Sequence, residues 1–361
     1  MWPYLLLFLV PAFLAVSRLK PMPYMAISAR RDRWPQEWWV IFFSLVLMIG
    51  LRHEVGGDWI SYIEMLDSYT DTTNSYKYGF QDPAFIVFNQ LATWSGGGIY
   101  LLNVLSAMLF SWGLVVFCRA QPRPWLALVV AVPYLITVVA MGYTRQAVAI
   151  GIVMVAMVTL GQSSTLRFML WVVFAALFHK SAIMLVPMAI LASSKRRVLT
   201  LLWVAVAGVT LYVLLLQEAM NFWIGGYLES EYQSAGAAVR IVMNTVPAIL
   251  FLIFRKRFQL SSDQRSFWTW MSWSALLLVG LLMASPSSTA VDRVALYWIP
   301  LQLFVLSRLP NALGQQNGKN AIWVYAVVGY SAAVHFVWLF YADTAFAWLP
   351  YQFYPWTWLW K

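Results

Sequence analysis

The chain has 361 residues, of which 61% are apolar and 11% are charged. A soluble domain is roughly 45–50% apolar and about 25% charged, so this composition excludes a water-soluble enzyme and predicts a polytopic membrane protein. The single cysteine, Cys118, excludes a disulfide framework and any metal site built from several thiolates. The net charge of +10 is interpreted as a sign of membrane orientation and not of nucleic-acid binding, because the basic residues are unevenly distributed between the loops.

Apolar stretches bounded by charged or turn residues predict an all-α protein with about ten full transmembrane helices and one re-entrant helical hairpin. The first stretch is expected to be a retained span and not a signal peptide, because its basic residues follow the apolar run. In chain order the stretches cover 2–19, 35–51, 99–118, 125–141, 143–160, 168–192, 198–216, 240–254, 266–284, 294–309 and 321–341.

The stretch at 168–192 is predicted to be the re-entrant hairpin, because His179, Lys180 and Ser181 interrupt it. A single crossing would carry the basic run at 195–197 to the outer side, against the positive-inside rule. With a hairpin, most of the 24 Lys and Arg side chains face the cytoplasm, and both termini face out. The whole chain, 1–361, is therefore predicted to be a single integral membrane domain.

The segment 52–98 is predicted to be a loop on the outer, periplasmic face. Helical spacing of apolar residues at 58–69 and 83–94 predicts two amphipathic helices that lie on the membrane surface. The C-terminal tail carries four tryptophans, which are interpreted as an interfacial aromatic belt or, alternatively, as platforms that stack on sugars. These tryptophans are Trp348, Trp356, Trp358 and Trp360.

Four cations are placed at or just below the outer surface, where ionisable groups are costly and usually functional. Spans that run inward begin there, so their free N–H groups and positive dipole ends gather on the same face. Cations at such positions favour a shared anion, and a diphosphate matches two or three arginine forks. The cations are Arg52, Arg145, Lys180 and Arg293.

The alternative interpretation is that the arginines pair with nearby carboxylates and only hold helices together. The candidate partners are Glu54, Asp58, Asp82 and Asp292. Of the three histidines, His335 is expected to be structural and His53 secondary, since it should point to a different helix face. No phosphate-binding glycine loop, metalloprotease motif or DxD motif occurs in the sequence, so no metal is expected and side chains must neutralise any phosphate.

A set of short motifs, in this order along the chain, resembles the EpsG family of bacterial exopolysaccharide polymerases, which are Wzy-type proteins. The resemblance runs from about 45 to 355, and the acidic residue before the proline of the family's GYEP-like motif is here an aspartate, in GFQDP. The matching residues are Arg52, Gly56, Gly57, Asp58 and Tyr62; Asp82 and Pro83; Arg145 and Gln146; His179, Lys180 and Ser181; Asp292, Arg293 and Tyr297; and Leu349, Pro350 and Tyr351.

The resemblance implies a glycosyltransferase of GT-C-like architecture, and no cofactor is expected. Such an enzyme transfers the growing glycan from polyprenyl diphosphate to the next lipid-linked repeat on the periplasmic face of the bacterial inner membrane. It implies as partners the polyprenyl-diphosphate-linked oligosaccharide, as donor and acceptor, the lipid bilayer, and a chain-length regulator and flippase of the same pathway.

In that reaction Arg52, Arg145 and Arg293, assisted by Lys180, are expected to bind the diphosphate leaving group and stabilise the charge that develops on it. The acceptor hydroxyl needs a general base, for which His179 and Asp58 are the candidates, with His179 preferred. Further substrate contacts are expected from Glu54, Tyr62, Asp82, Gln146, Asp292 and Tyr297.

Other functions stay open at this point. A ligase of the O-antigen type would differ in its acceptor and not in its handling of the diphosphate. A lipid-linked oligosaccharide flippase would place polar residues at mid-membrane and show two related halves. An O-acyltransferase and a structural subunit of an export complex are the remaining alternatives.

Overall fold

The computed structural model describes residues 1–22, 34–70, 82–160, 165–188, 236–284, 288–315 and 318–359. This part of the chain is helical and contains no strand, only an isolated antiparallel bridge between Arg52 and Phe353. The helices are α1 Trp2–Ser17, α2 Gln36–Gly50, α3 Trp59–Thr70, α4 Pro83–Trp94, α5 Gly98–Arg119, α6 Pro124–Ala131, α7 Thr144–Leu160, α8 Thr165–Ala176, α9 Ala237–Phe254, α10 Ser262–Ala284, α11 Ser288–Ala295, α12 Ile299–Leu313, α13 Ala321–Tyr341 and α14 Tyr354–Leu359.

The all-helical prediction is confirmed for the described residues. Helices occur close to the predicted bounds, including the two amphipathic ones, which are α3 and α4. Within the described ranges, four helices are long and apolar enough to cross a membrane, namely α5, α9, α10 and α13. Shorter apolar helices accompany them, and α1 exposes Leu6, Leu9 and Phe13, as a lipid-facing surface would.

Two predicted continuous helices are interrupted. The stretch at 125–141 is α-helical as far as Ala131 and then becomes a π-helix over Val132–Ala140. Pro133 lies at the start of that π-helix and lacks the N–H that an α-helix would use, so the regular bonding pattern changes there. The stretch predicted at 294–309 begins earlier, as α11, and passes through a 3₁₀ turn, Leu296–Trp298, into α12.

The predicted hairpin is described only in part. Helix α8 ends at Ala176, residues 177–179 are not helical, and a 3₁₀-helix covers Lys180–Leu185. The interruption thus lies where the sequence predicted a break, but the end of the hairpin and the predicted span at 198–216 lie outside the described residues.

The chain divides into two compact units. The first unit comprises Met1–Val155, Leu177–His179 and Leu306–Lys361, and the second comprises Ala156–Ala176 and Lys180–Val305. The non-helical residues before the 3₁₀-helix therefore belong to the first unit, and the 3₁₀-helix itself belongs to the second.

In the first unit, glycines bring α5 and the middle of α7 into backbone contact. A Cβ at Gly113 would collide with the carbonyl oxygen of Gly151, and a Cβ at Gly151 would lie 2.7 Å from the Cα of Phe110. Small residues allow this close approach between helices in membranes. The packing fixes α7 against α5, and thereby fixes the first turn of α7, which carries Arg145.

In the second unit, aromatic side chains fill the space between α9, α10 and α12. Trp268 stacks on Phe304 at a centroid distance of 3.8 Å, and Phe251 contacts the same ring edge-on. The indole N–H of Trp298 donates to the carbonyl oxygen of Met271 at 3.0 Å, so the polar atom of this buried side chain is satisfied.

Candidate active site

Arg52 lies just after α2, in the first unit, and its side chain is 1% exposed. Its guanidinium donates to the carbonyl oxygens of Val55 at 3.1 Å and Ile49 at 2.5 Å. It also donates to Asn103 Oδ1 at 3.0 Å and Thr144 Oγ1 at 2.9 Å. Burial lowers the pKa of Arg52 to about 10, so the group stays protonated at neutral pH.

These contacts place Arg52 differently from the prediction, which expected its fork to face an anion. The acceptors are neutral oxygens from three separate parts of the chain: the 49–55 turn, α5 and the first residue of α7. The C-terminus of α2, which carries the negative end of the helix dipole, also lies next to the guanidinium. The side chain therefore ties the 52–58 loop to the helix start that carries Arg145.

The same loop is held from its other side by the C-terminal tail. The N–H of His53 donates to the Gln352 carbonyl at 3.0 Å, and the N–H of Tyr354 donates to the Leu51 carbonyl at 2.8 Å. The N–H of Gly56 donates to the Ala347 carbonyl at 2.8 Å. Sequence analysis missed this pairing, because nothing local in either segment signals a strand-like contact across 300 residues of chain.

Trp348 is buried inside this arrangement, which corrects both predicted roles for it, the aromatic belt and the sugar platform. Its ring would collide with a Cβ at Gly142 and would lie 3.5 Å from a Cβ at Gly57. Its carbonyl accepts a hydrogen bond from the Tyr4 hydroxyl at 2.9 Å. The indole thus fills the space between the loop that carries Asp58 and the turn that precedes Arg145.

Arg145 and Asp82 form the ion pair of this site. Arg145 Nη1 donates to Asp82 Oδ2 at 2.9 Å, where the carboxylate is buried and the arginine side chain is 30% exposed. The backbone N–H of Arg145 donates to the Tyr62 hydroxyl at 3.2 Å. Burial raises the pKa of Tyr62, although the nearby Arg145 opposes the shift.

The pair agrees with the helix-pairing alternative, which predicted Asp82 as a partner of an arginine. The anion site at Arg145 stays a prediction, and 30% of the arginine side chain is exposed. Gln146, next in α7, is buried. Two amphipathic helices supply the partners, since Tyr62 lies in α3 and Asp82 precedes α4.

His179 belongs to the same unit as this pair. Two residues before it, the Leu177 carbonyl accepts a hydrogen bond from the Ala84 N–H at 2.9 Å. The ring of Phe178 contacts Phe88 at a centroid distance of 5.2 Å. The segment that ends at His179 is therefore anchored on the first turns of α4, two residues after Asp82. Asp58, the other candidate base, is half-buried at the start of α3.

The second unit holds the other predicted site residues. Asp292 is buried and accepts two hydrogen bonds of 2.6 Å from Arg240, one from Nε and one from Nη2. Arg293, the next residue, is exposed. The bidentate partner of Asp292 is thus Arg240 in the first turn of α9, a residue that was not among the predicted site residues.

Other polar side chains of the second unit are hydrogen-bonded near this pair in the sequence. The Asn244 side chain donates to the Ala295 carbonyl at 2.9 Å and accepts from Gln302 at 2.8 Å. Tyr297 is buried, and its hydroxyl is 3.5 Å from Ser181 Oγ, next to the half-buried Lys180. No group of three or more His, Cys, Asp or Glu side chains that suits a metal ion occurs within the described ranges.

A family model, described as the EpsG family, matches residues 38–353. The chain belongs to the EpsG family. EpsG is a Wzy-type polysaccharide polymerase family, so the resemblance predicted from the order of the motifs is confirmed. A search of curated proteins and a search of solved structures each gave no significant match.

The EpsG match ends at Phe353 and therefore includes Ala347 and Gln352, two of the tail residues whose carbonyls accept hydrogen bonds from the 52–58 loop. The family thus supports a glycosyltransferase-like polymerase in a membrane, with lipid-linked oligosaccharides as substrates. The buried Arg52, the Arg145–Asp82 pair and the segment before His179 all lie within the matched residues.

Proposed function

We propose that this protein extends a polysaccharide by moving the growing glycan from its polyprenyl diphosphate to a sugar hydroxyl of the next lipid-linked repeat. The reaction takes place on the periplasmic face of the bacterial inner membrane, without a metal or a cofactor. The observation that carries the proposal is Arg145, partly exposed at the start of α7 in an EpsG-family chain and held in place by Asp82.

Arg145 is proposed to bind the diphosphate directly. Its guanidinium lies in the first turn of a helix whose N–H groups add positive potential. Asp82 uses part of the fork and so fixes its direction, while the accessible part meets the phosphate oxygens. As the glycosidic bond breaks, charge grows on the leaving oxygen, and a cation already in position lowers the barrier.

Arg52 is proposed to act as a positioning residue, because its donors are bonded to protein oxygens. Arg293 and Lys180, both in the second unit, stay diphosphate ligands predicted from the sequence, and Arg293 is exposed. Asp292 and Arg240 hold the start of α11 against α9, and Tyr297 supports the segment that carries Lys180 through Ser181.

His179 is proposed to be the general base that takes the proton of the acceptor hydroxyl, with Asp58 as the alternative. The segment that ends at His179 is anchored beside α4, on the same helix start as Asp82. A neutral imidazole among cations keeps its ability to accept a proton. Asp58 is the last residue of the 52–58 loop, which Arg52 and the C-terminal tail hold in place.

The proposal is tested with purified protein in proteoliposomes and a defined polyprenyl-diphosphate oligosaccharide. A ladder of products that differ by one repeat is the expected result, and the His179→Gln variant should give no ladder. A single addition to a different lipid acceptor would indicate a ligase of the O-antigen type. Movement of substrate across the bilayer without new product would indicate a flippase.

A further inference from the structure

Glu54 has a backbone conformation that few residues of its size adopt. Its φ is +53°, in the left-handed region, and its side chain is 64% exposed. A non-glycine residue at positive φ costs free energy and persists only when its surroundings impose it. Here Arg52 and the C-terminal tail impose it, because their hydrogen bonds fix the residues on both sides of Glu54.

The consequence is a fixed set of polar atoms around His53. Its Nδ1 forms a hydrogen bond of 2.7 Å with the Tyr100 hydroxyl, and its Nε2 lies 3.9 Å from Glu54 Oε1. The imidazole is therefore oriented from one side by a tyrosine, and its other nitrogen is directed toward an exposed carboxylate. Glu54 offers acceptor oxygens, and His53 offers a ring nitrogen beside them.

Aromatic rings surround the same polar pair. Tyr100 stacks on Tyr354 at a centroid distance of 3.7 Å, and both rings are half-buried. Trp59 lies edge-on to His53 at 6.1 Å. Rings that flank a carboxylate and an imidazole suit a sugar, which has an apolar face and a rim of hydroxyls.

From this juxtaposition we infer that His53, Glu54, Tyr100 and Tyr354 form a binding site for the acceptor sugar. The inference rests on the proposed function. Glu54 accepts hydrogen bonds from sugar hydroxyls, and the stacked tyrosines contact the apolar face of the ring. Arg52, next to His53, donates a hydrogen bond to Thr144. This bond connects the acceptor site to the start of α7, which carries Arg145.

Direct binding is measured by saturation-transfer NMR, with wild-type protein in nanodiscs and the repeat-unit oligosaccharide released from its lipid. Wild-type protein should transfer saturation to the ring protons, and Glu54→Gly should weaken the transfer strongly at the same oligosaccharide concentration. Glycine adopts positive φ without penalty, so the melting temperature of Glu54→Gly should stay unchanged or rise. The matched control is Glu64→Gln, an exposed carboxylate on α3, which should transfer as wild type does.

Kinetics then separate this site from the rest of the reaction. The donor carries a methylated acceptor hydroxyl, so that it can only donate, and the acceptor repeat is linked to a non-leaving alkyl chain. Glu54→Gly and His53→Gln should raise KM for the acceptor about tenfold, the loss expected for one charge-assisted hydrogen bond. The KM for the donor should not change.

The outcomes distinguish the two proposals. Normal saturation transfer and a normal acceptor KM in Glu54→Gly would overturn the acceptor site and leave polymerisation standing. Saturation transfer that depends on Glu54, in a protein that forms no glycosidic bond with any lipid-linked donor, would support the sugar site and overturn the polymerase. Equal loss in Glu64→Gln would show a general charge effect and overturn the site as well.

Discussion

At the residue scale, two arginines that look alike in the sequence have different environments. Arg52 is buried and donates to four neutral oxygens, whereas Arg145 is partly exposed and pairs with a carboxylate. Arg52 follows one predicted span and Arg145 lies at the start of another. Hydrophobic periodicity therefore places both residues at the same depth in the membrane. Only the three-dimensional packing separates them, because it decides how many protein acceptors each guanidinium reaches.

Arg145→Lys should lose most polymer while the amount of folded protein stays the same. A lysine keeps the charge but cannot bind Asp82 and a phosphate with one planar fork. The loss is checked by product-ladder yield, with protein level measured on the same membranes. Arg18→Lys is the matched control, because Arg18 also pairs with a carboxylate, that of Glu37, but at a more exposed position. A normal ladder from Arg145→Lys would exclude a bidentate role.

Arg52→Met should destabilise the protein by about 3 kcal/mol or more, since it leaves several buried acceptors without donors. Thermal unfolding in detergent measures this change as a lower melting temperature. Arg52→Lys should be destabilised less and should keep its KM for the donor. A stable Arg52→Lys protein with a strongly raised donor KM would instead favour direct diphosphate binding by Arg52.

The sequence predicted candidate site residues but not all of their hydrogen-bond partners. Arg145 and Asp82 are both recognisable from motifs, and their contact is one of the pairings that the sequence allowed. Asp292 was expected to pair with the arginines already named, but it binds Arg240, which lies 52 residues away. Side-chain reach between distant segments depends on packing, and one sequence does not reveal that packing.

At the element scale, hydrophobic patterning predicts helices well and their irregularities poorly. Apolar periodicity sets the bounds of α3, α4 and α5 to within one or two residues of the structure. It does not predict the π-helix over Val132–Ala140 or the turn before α12, because both depend on backbone bonding and not on which face is apolar. Apolar periodicity also does not predict the pairing of the C-terminal tail with the 52–58 loop, because that pairing depends on backbone hydrogen bonds.

Trp348→Ala should abolish activity and destabilise the protein by roughly 3–5 kcal/mol, the range for deletion of a buried aromatic ring. The cavity would free Gly142 and Gly57, and with them the turn before Arg145 and the loop before Asp58. Trp356→Ala is the matched control in the same tail, because Trp356 is 48% exposed and stacks on Trp2. Ladder yield and melting temperature should change little in Trp356→Ala. Equal effects in both variants would show that the tail matters only through its hydrophobicity.

At the scale of the whole molecule, composition and charge predict the environment and the class of the protein. The apolar share and the helical periodicity led to an all-helical membrane protein, and the described residues are helical, with four helices long enough to span. The predicted number of spans and the side of each loop depend on the basic residues, many of which lie outside the described ranges. Orientation is therefore a separate prediction.

The orientation prediction is that the 52–98 loop faces the periplasm and the loop between α12 and α13 faces the cytoplasm. The native cysteine, Cys118, is fully buried, so wild-type protein should not react with a membrane-impermeant maleimide and single-cysteine reporters can be added to it directly. In intact spheroplasts Glu64→Cys, on α3, should be labelled and Lys319→Cys should not. Both side chains are exposed, so both variants should react after the membrane is permeabilised. The reverse pattern in spheroplasts would place Arg145 and its neighbours on the cytoplasmic face, where a polymerase that works on exported repeats would not meet its substrate.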